Sequence, residues 1–253
     1  MKQQKLFSIS RWAAAACCLV QLTLPALADT NQIRVLMVTG QDYPGHVWRE
    51  TAPALRQLLE QDKRFAVRII EDPHTLDSAV LTNYAAVLLH FMNWESPAPG
   101  VAARENLRRY VENGGGLMSV HFACGAWHNE WPEFQNLVGR VWYGSGPGKR
   151  QHDPRGKFTV QIVDRDHAVT RGLKDFDTDD ELYTCLAGDA PVHLLAQAKS
   201  KVDNRDYPMA FTHTYGKGRV FLTTLGHDVQ AFTNSCVPQL LRQGCAWAAG
   251  SPP

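Results

Sequence analysis

Apolar runs alternate with amphipathic stretches through the first half of this chain, and that alternation constrains the fold more than any other feature. Residues 33–38 lead to a turn at Gly40. Phe65–Ile70 is closed by Glu71-Asp72-Pro73, residues 84–90 end in His90, and residues 117–120 follow Gly114-Gly115-Gly116. Between these runs, residues 46–62 and Val101–Glu112 carry apolar stripes at helical spacing. Runs of this kind belong to strands covered on both faces. Strands alternating with helices make a parallel sheet with right-handed crossovers. The expected class is therefore α/β with a mostly parallel central sheet. Gly40 is not followed by G-x-x-G, so a dinucleotide fingerprint is absent.

The second half is less regular. Strands are predicted near residues 139–143, 157–163, 192–198, 209–214 and 220–225, with another beginning at 179–183. Short and final helices are predicted at 134–138 and 237–248, and residues 144–148 read as a loop. No interdomain linker is apparent, so residues 29–253 are read as one domain large enough for a proper core.

Residues 1–28 read as a signal peptide. Lys2, Lys5 and Arg11 precede an apolar stretch, residues 12–24, that is short for a membrane span, and Ala26-Leu27-Ala28 has the form of a cleavage site. The mature chain would begin near Asp29, and the protein is expected to be periplasmic or secreted. That compartment permits disulfides among Cys124, Cys185, Cys236 and Cys245, with Cys236–Cys245 the expected pair because they flank the last helix. No C-x-x-C pattern suggests a thiolate zinc site. A formal net charge of +1 with no basic face argues against nucleic acid. No second apolar run would hold the cleaved protein in a membrane.

Histidines recur where strands end. His121 stands where the run 117–120 meets small residues, as a nucleophile elbow places its serine at the carboxyl edge of a sheet. His90 and His227 each follow an apolar strand, and His46 follows the first strand by one loop. Ligands of parallel sheets bind at this edge. His121 and His227 are therefore the candidate acid/base pair, with Glu181 to orient one of them. Beside Asp179 and Asp180, however, Glu181 also reads as a solvated acidic turn. Candidate ligand contacts are Gly40, His46, Trp48, His90, Asn93, Trp94, Tyr183 and Arg219, any of whose aromatics could equally be core. Spacing alone does not place His152 or His167, and His128 could line a pocket with Trp127 and Trp131. His74 and His193 read as surface or structural.

In order, Val38-Thr39-Gly40 with His46-Val47-Trp48, Gly114-Gly115-Gly116-Leu117 with His121, Asp166-His167, Asp180-Glu181-Leu182-Tyr183, Tyr215-Gly216-Lys217-Gly218-Arg219-Val220-Phe221 and Leu225-Gly226-His227 resemble the trehalose-utilisation (ThuA-like) family. The resemblance implies a class I glutamine amidotransferase-like fold, a flavodoxin-like three-layer sandwich. It also implies a role in carbohydrate metabolism, acting on trehalose-like disaccharides or their 3-keto derivatives. Amidotransferases of that superfamily carry a cysteine at the elbow; His121 stands there instead, so glutaminase activity is not expected. Imidazoles titrating near neutrality could serve a sugar hydroxyl or the carbon beside a keto group. A variant places a divalent metal such as zinc on His46, His121 and His227, although no H-x-x-x-H spacing supports it. The competing class is a non-catalytic sugar-binding protein using the same cleft.

Overall fold

The first strand, β1 (Ile33–Val38), sends its side chains alternately into two cores: Val35 and Met37 into one, Leu36 and Val38 into the other. Both faces are covered, which is why residues 35–38 are wholly apolar, with only Arg34 near the strand's start exposed. The structure, a computed structural model, describes residues 32–41, 43–94, 96–127, 130–142 and 152–253. The signal-peptide reading, the loop at 144–148 and His128 lie outside the described residues.

Helix α1 (Trp48–Glu60) lays Leu55, Leu58 and Leu59 against the first core. Strand β2 (Phe65–Ile70) then pairs parallel with β1, Ile33 opposite Phe65. Strand β3 (Ala86–Leu89) takes the other side of β1. Helix α2 (Val101–Glu112) covers the second core with Leu107, Tyr110 and Val111, and the Tyr110 hydroxyl donates to the Tyr84 carbonyl at 3.0 Å. The glycines after α2 serve two needs. Gly114 takes φ +111°, and a Cβ on Gly116 would lie 2.4 Å from the Ala248 carbonyl oxygen. They deliver the chain into β4 (Gly116–Val120), parallel to β3.

The remaining elements are α3 (Glu133–Val138), β5 (Val141–Trp142), β6 (Gly156–Ile162), β7 (Phe176–Asp180), β8 (Leu186–Ala187), β9 (His193–Lys199), β10 (Asp206–Tyr215), β11 (Gly218–Thr223) and α4 (Cys236–Ala248). One nine-stranded sheet runs β2-β1-β3-β4-β11-β10-β9-β6-β7, and β5 with β8 forms a small antiparallel ribbon. The pairings from β2 to β11 are parallel. From β11 to β7 every pairing is antiparallel. Helices α1 and α4 pack in the core on one face, α2 and α3 in the core on the other. The result is an α/β sandwich whose central strands are parallel.

Two expectations are corrected. Cys236 and Cys245 both lie within α4, nine residues apart, a helical rise of roughly 13 Å that no disulfide can bridge. Cys124, Cys236 and Cys245 are free thiols. The strand expected to begin at 179–183 instead ends at Asp180, so Glu181 follows a strand.

Candidate functional site

Three imidazoles and a carboxylate meet at the carboxyl edge of the sheet. β4 ends at Val120, and the next residue, His121, turns the chain with φ +49° into a short 3-10 helix. A non-glycine residue in the left-handed region at a strand's end is strained, and such strain gathers at functional sites. β11 ends at Thr223; Gly226, at φ +116°, then turns the chain so that His227 reaches the same place. His46 arrives from the loop after β1, held by its backbone N–H donating to the Tyr43 carbonyl at 3.0 Å. Glu181 comes from the far edge of the sheet. Four successive antiparallel pairings separate β7 from β11, and four reversals bring β7 back to the direction of β4, so its end opens on the same side.

The three rings form a nearly equilateral triangle. Their centres are 5.1 Å apart for His46–His121, 5.0 Å for His46–His227 and 5.3 Å for His121–His227. Glu181 Oε2 lies 3.5 Å from His121 Nε2 and 3.4 Å from His227 Nδ1, while its Oε1 is 3.4 Å from His152 Nδ1. One nitrogen or oxygen from each of His46, His121, Glu181 and His227 lies within 4.8 Å of all the others.

The surrounding shell fixes these groups. The Thr224 carbonyl oxygen, 2.5 Å from His121 Nδ1, can only accept, so Nδ1 carries a proton and Nε2 is turned toward the cluster. The Tyr183 hydroxyl is 3.1 Å from that Nε2. Asp180, fully buried, accepts from three backbone N–H groups: Gly226 at 2.8 Å, Glu181 at 2.8 Å and His227 at 3.1 Å. One carboxylate thus ties the end of β7 to the loop after β11.

Electrostatics separate three of these groups. Burial, aided by the neighbouring His121 and His227, pushes the His46 imidazole down to about 2, so it stays neutral. Burial alone would raise the Glu181 carboxyl, but His121 and His227 overcome it and hold the group well below the usual carboxylate range. For His227, burial is outweighed by Glu181, with Asp180 and Asp228 behind it, and its pKa is raised.

A cavity of about 120 Å³ opens onto the cluster. Its apolar walls are Tyr43, Met92, Trp94, Phe122, Trp142 and Tyr183. Trp94 stacks on Trp142 with centres 4.4 Å apart, and Phe122 stacks on His46 at 4.6 Å.

Not every residue singled out in the sequence comes here. His90 is fully buried behind Phe122, with Thr39 Oγ1 at 3.3 Å from its Nδ1, and cannot touch a ligand in the cavity. Arg219 sits at the amino end of β11, the opposite edge, its guanidinium 5.8 Å from the Trp247 ring centre. Trp48 packs in the core at the start of α1. Asn93 is structural: its Oδ1 accepts from the Trp127 backbone N–H at 2.5 Å and its Nδ2 donates to Glu130 at 3.2 Å. Gly40 adopts φ +114°, where a Cβ would overlap the Glu71 carbonyl, so its role is the turn itself. Conversely, Asp180, Tyr43, Trp142 and His152 belong to the site or its support. The one sequence signal for Asp180 was its place beside Glu181.

The family model described as trehalose utilisation (ThuA) matches residues 34–248. A crystal structure of a ThuA-like protein from Parabacteroides merdae is 26% identical, with a TM-score of 0.76, covering 87% of this chain and 91% of that one. A ThuA-like protein from Bacteroides uniformis is 22% identical, with a TM-score of 0.70 and coverages of 89% and 95%. The fold is also shared with part of a β-galactosidase from Bacillus circulans, 12% identical with a TM-score of 0.57, where 88% of this chain matches 32% of the enzyme. No curated protein matches in sequence.

Proposed function

This chain belongs to the trehalose utilisation (ThuA) family, and from that premise we propose that it is an exported enzyme acting on trehalose-like disaccharides or their 3-keto derivatives. One observation carries the reading: His46, His227 and Glu181 line an aromatic-walled cavity at the carboxyl edge of the sheet, with His121 packed directly behind them. Aromatic faces suit the C–H rows of a pyranose ring, and few convergent polar groups in such a cavity mark a small-molecule site.

The residues divide the work. His121, its Nδ1 proton held by the Thr224 carbonyl, presents Nε2 as the general base. His227, whose proton is held more tightly than usual by Glu181, is the general acid. Glu181 stays ionised between them and keeps both rings in place. Such a pair can move protons on a sugar hydroxyl or on the carbon next to a keto group. Export rests on residues 1–28 alone.

The test is turnover of trehalose and of 3-keto-trehalose by the parent protein, His121→Ala and His227→Ala. Each substitution is expected to lower kcat by roughly 10²–10⁴. Unchanged turnover in the double variant removes the acid/base reading. Sugar binding by a parent protein that turns nothing over favours the non-catalytic alternative.

A further inference from the structure

We propose that His46, His121, His227 and Glu181 together bind one first-row divalent ion of tetrahedral preference, zinc or cobalt in chemical class. The sequence offers no short-spaced ligand pair because each ligand comes from a different segment: the loop after β1 and the ends of β4, β7 and β11.

The geometry supports this on two independent measures. Imidazoles on a tetrahedral ion at about 2.1 Å, each ring centre about 1.1 Å behind its nitrogen, have centres about 5.2 Å apart. The three observed separations are 5.0, 5.1 and 5.3 Å. Ligand atoms around the same ion are roughly 3.4 Å apart. Glu181 Oε2 stands 3.5 Å from His121 Nε2 and 3.4 Å from His227 Nδ1. The widest spacing in the set stays within 4.8 Å.

Hydrogen bonding gives a separate indication. Both nitrogens of His46, at 8% exposure, are buried without a hydrogen-bond partner among the described residues. His227 Nδ1 is likewise buried, and its approach to Glu181 does not meet hydrogen-bond geometry. Buried polar atoms are rarely left unmatched, because each costs about 1–3 kcal/mol. A cation accepting one lone pair from His46 and one from His227 Nδ1 matches two of these three atoms. The outer shell is already in place: the Thr224 carbonyl orients His121, and Asp180 anchors the backbone of Glu181 and His227. Three imidazoles and one carboxylate suit a borderline-soft ion. His152 stays outside the set because its Nδ1 also makes a 2.8 Å bond to the Asp153 carbonyl.

The inference goes beyond the proposed function by assigning the cluster's occupant. With the ion bound, His121 and His227 serve as ligands in place of the acid/base roles proposed above. The Lewis acid would face the cavity, where a sugar hydroxyl or carbonyl oxygen can reach it as a fifth ligand.

The test uses untagged full-length protein, stripped with chelator and then titrated with zinc chloride or cobalt chloride alone. We expect one ion per chain and, with cobalt, the intense visible d–d absorption of a tetrahedral centre. Glu181→Gln and His46→Ala should each weaken zinc binding by at least about 100-fold, the upper end of what loss of an outer-shell partner brings. Arg219→Met, at the opposite edge, should leave affinity within about twofold. Absence of stoichiometric binding by the parent protein overturns the proposal, as does affinity unchanged in folded Glu181→Gln. The parent's stoichiometry and cobalt spectrum decide the matter even if a variant fails to fold. Full turnover by chelated protein that binds no ion also overturns it while leaving the acid/base reading intact. Stoichiometric binding by a protein that turns over no sugar supports the metal site and sinks the carbohydrate reading instead.

Discussion

At the residue scale, the histidines differ sharply in what their surroundings permit. His90 is buried in an apolar layer that pushes its pKa down to about 3, whereas in the unfolded chain it titrates near 6.5. Below 6.5 the unfolded state therefore takes up a proton that the native state refuses, and the stability present above that pH is lost as pH falls toward 3. His46 acts in the same sense. Replacing His90 with Leu should flatten the fall in unfolding free energy between pH 6 and 4 by about 1.4 kcal/mol per pH unit, as read by urea denaturation across that range. Asp180 makes a second case. Asp180→Asn exchanges an acceptor oxygen for a donor, facing backbone N–H groups of Gly226, Glu181 and His227. A buried donor left unmatched costs about 1–3 kcal/mol, so thermal unfolding should shift down measurably. The convergence of His46, His121 and His227 was legible because each follows an apolar strand or its loop. Glu181 was harder to read, since Phe176-Asp177-Thr178-Asp179-Asp180 is polar enough to pass for a solvated turn. Its inward side chains are Phe176, Thr178 and Asp180, and only the third is unexpected in a core.

At the element scale, the parallel half of the sheet was plain from periodicity and the antiparallel half was not. The former consists of predominantly apolar runs, each preceded or followed by a helix. The latter alternates polar and apolar residues, which identifies strands without saying which neighbour each one chooses. The order β10-β9-β6-β7 joins segments distant in sequence, and that order alone brings Glu181 to the histidines. Arg219 shows the converse: a motif residue on the right strand but at its wrong end. Arg155 braces this far corner, with its guanidinium 2.7 Å from Asp179 and 2.8 Å from Asp228. These partners are all partly exposed, so Arg155→Met should cost less than about 1 kcal/mol by chemical denaturation, and less than Asp180→Asn. If the ranking reverses, the surface clamp rather than the buried carboxylate holds the corner together.

At the scale of the whole molecule, fold and family agree across nearly the full described length. Among the described residues no helix is long and apolar enough to cross a membrane. The exported reading predicts a chain lacking residues 1–28 when recovered from its native host. Intact-mass measurement should give a protein beginning at Asp29, and a full-length mass in a folded, active fraction would count against processing there.

His46 and His227 are separated by most of the folded chain, and both are needed at one point. A fragment ending before β11 keeps His46 and His121 but cannot complete this site. Whatever occupies it can recognise only a chain whose last strand has already docked, so occupancy reports completed folding. Ligand at 100 times its Kd would add about 2.7 kcal/mol to the global unfolding free energy and nothing to any intermediate lacking β11. The site would then sharpen cooperativity, selectively rewarding the one state in which both ends of the chain are home.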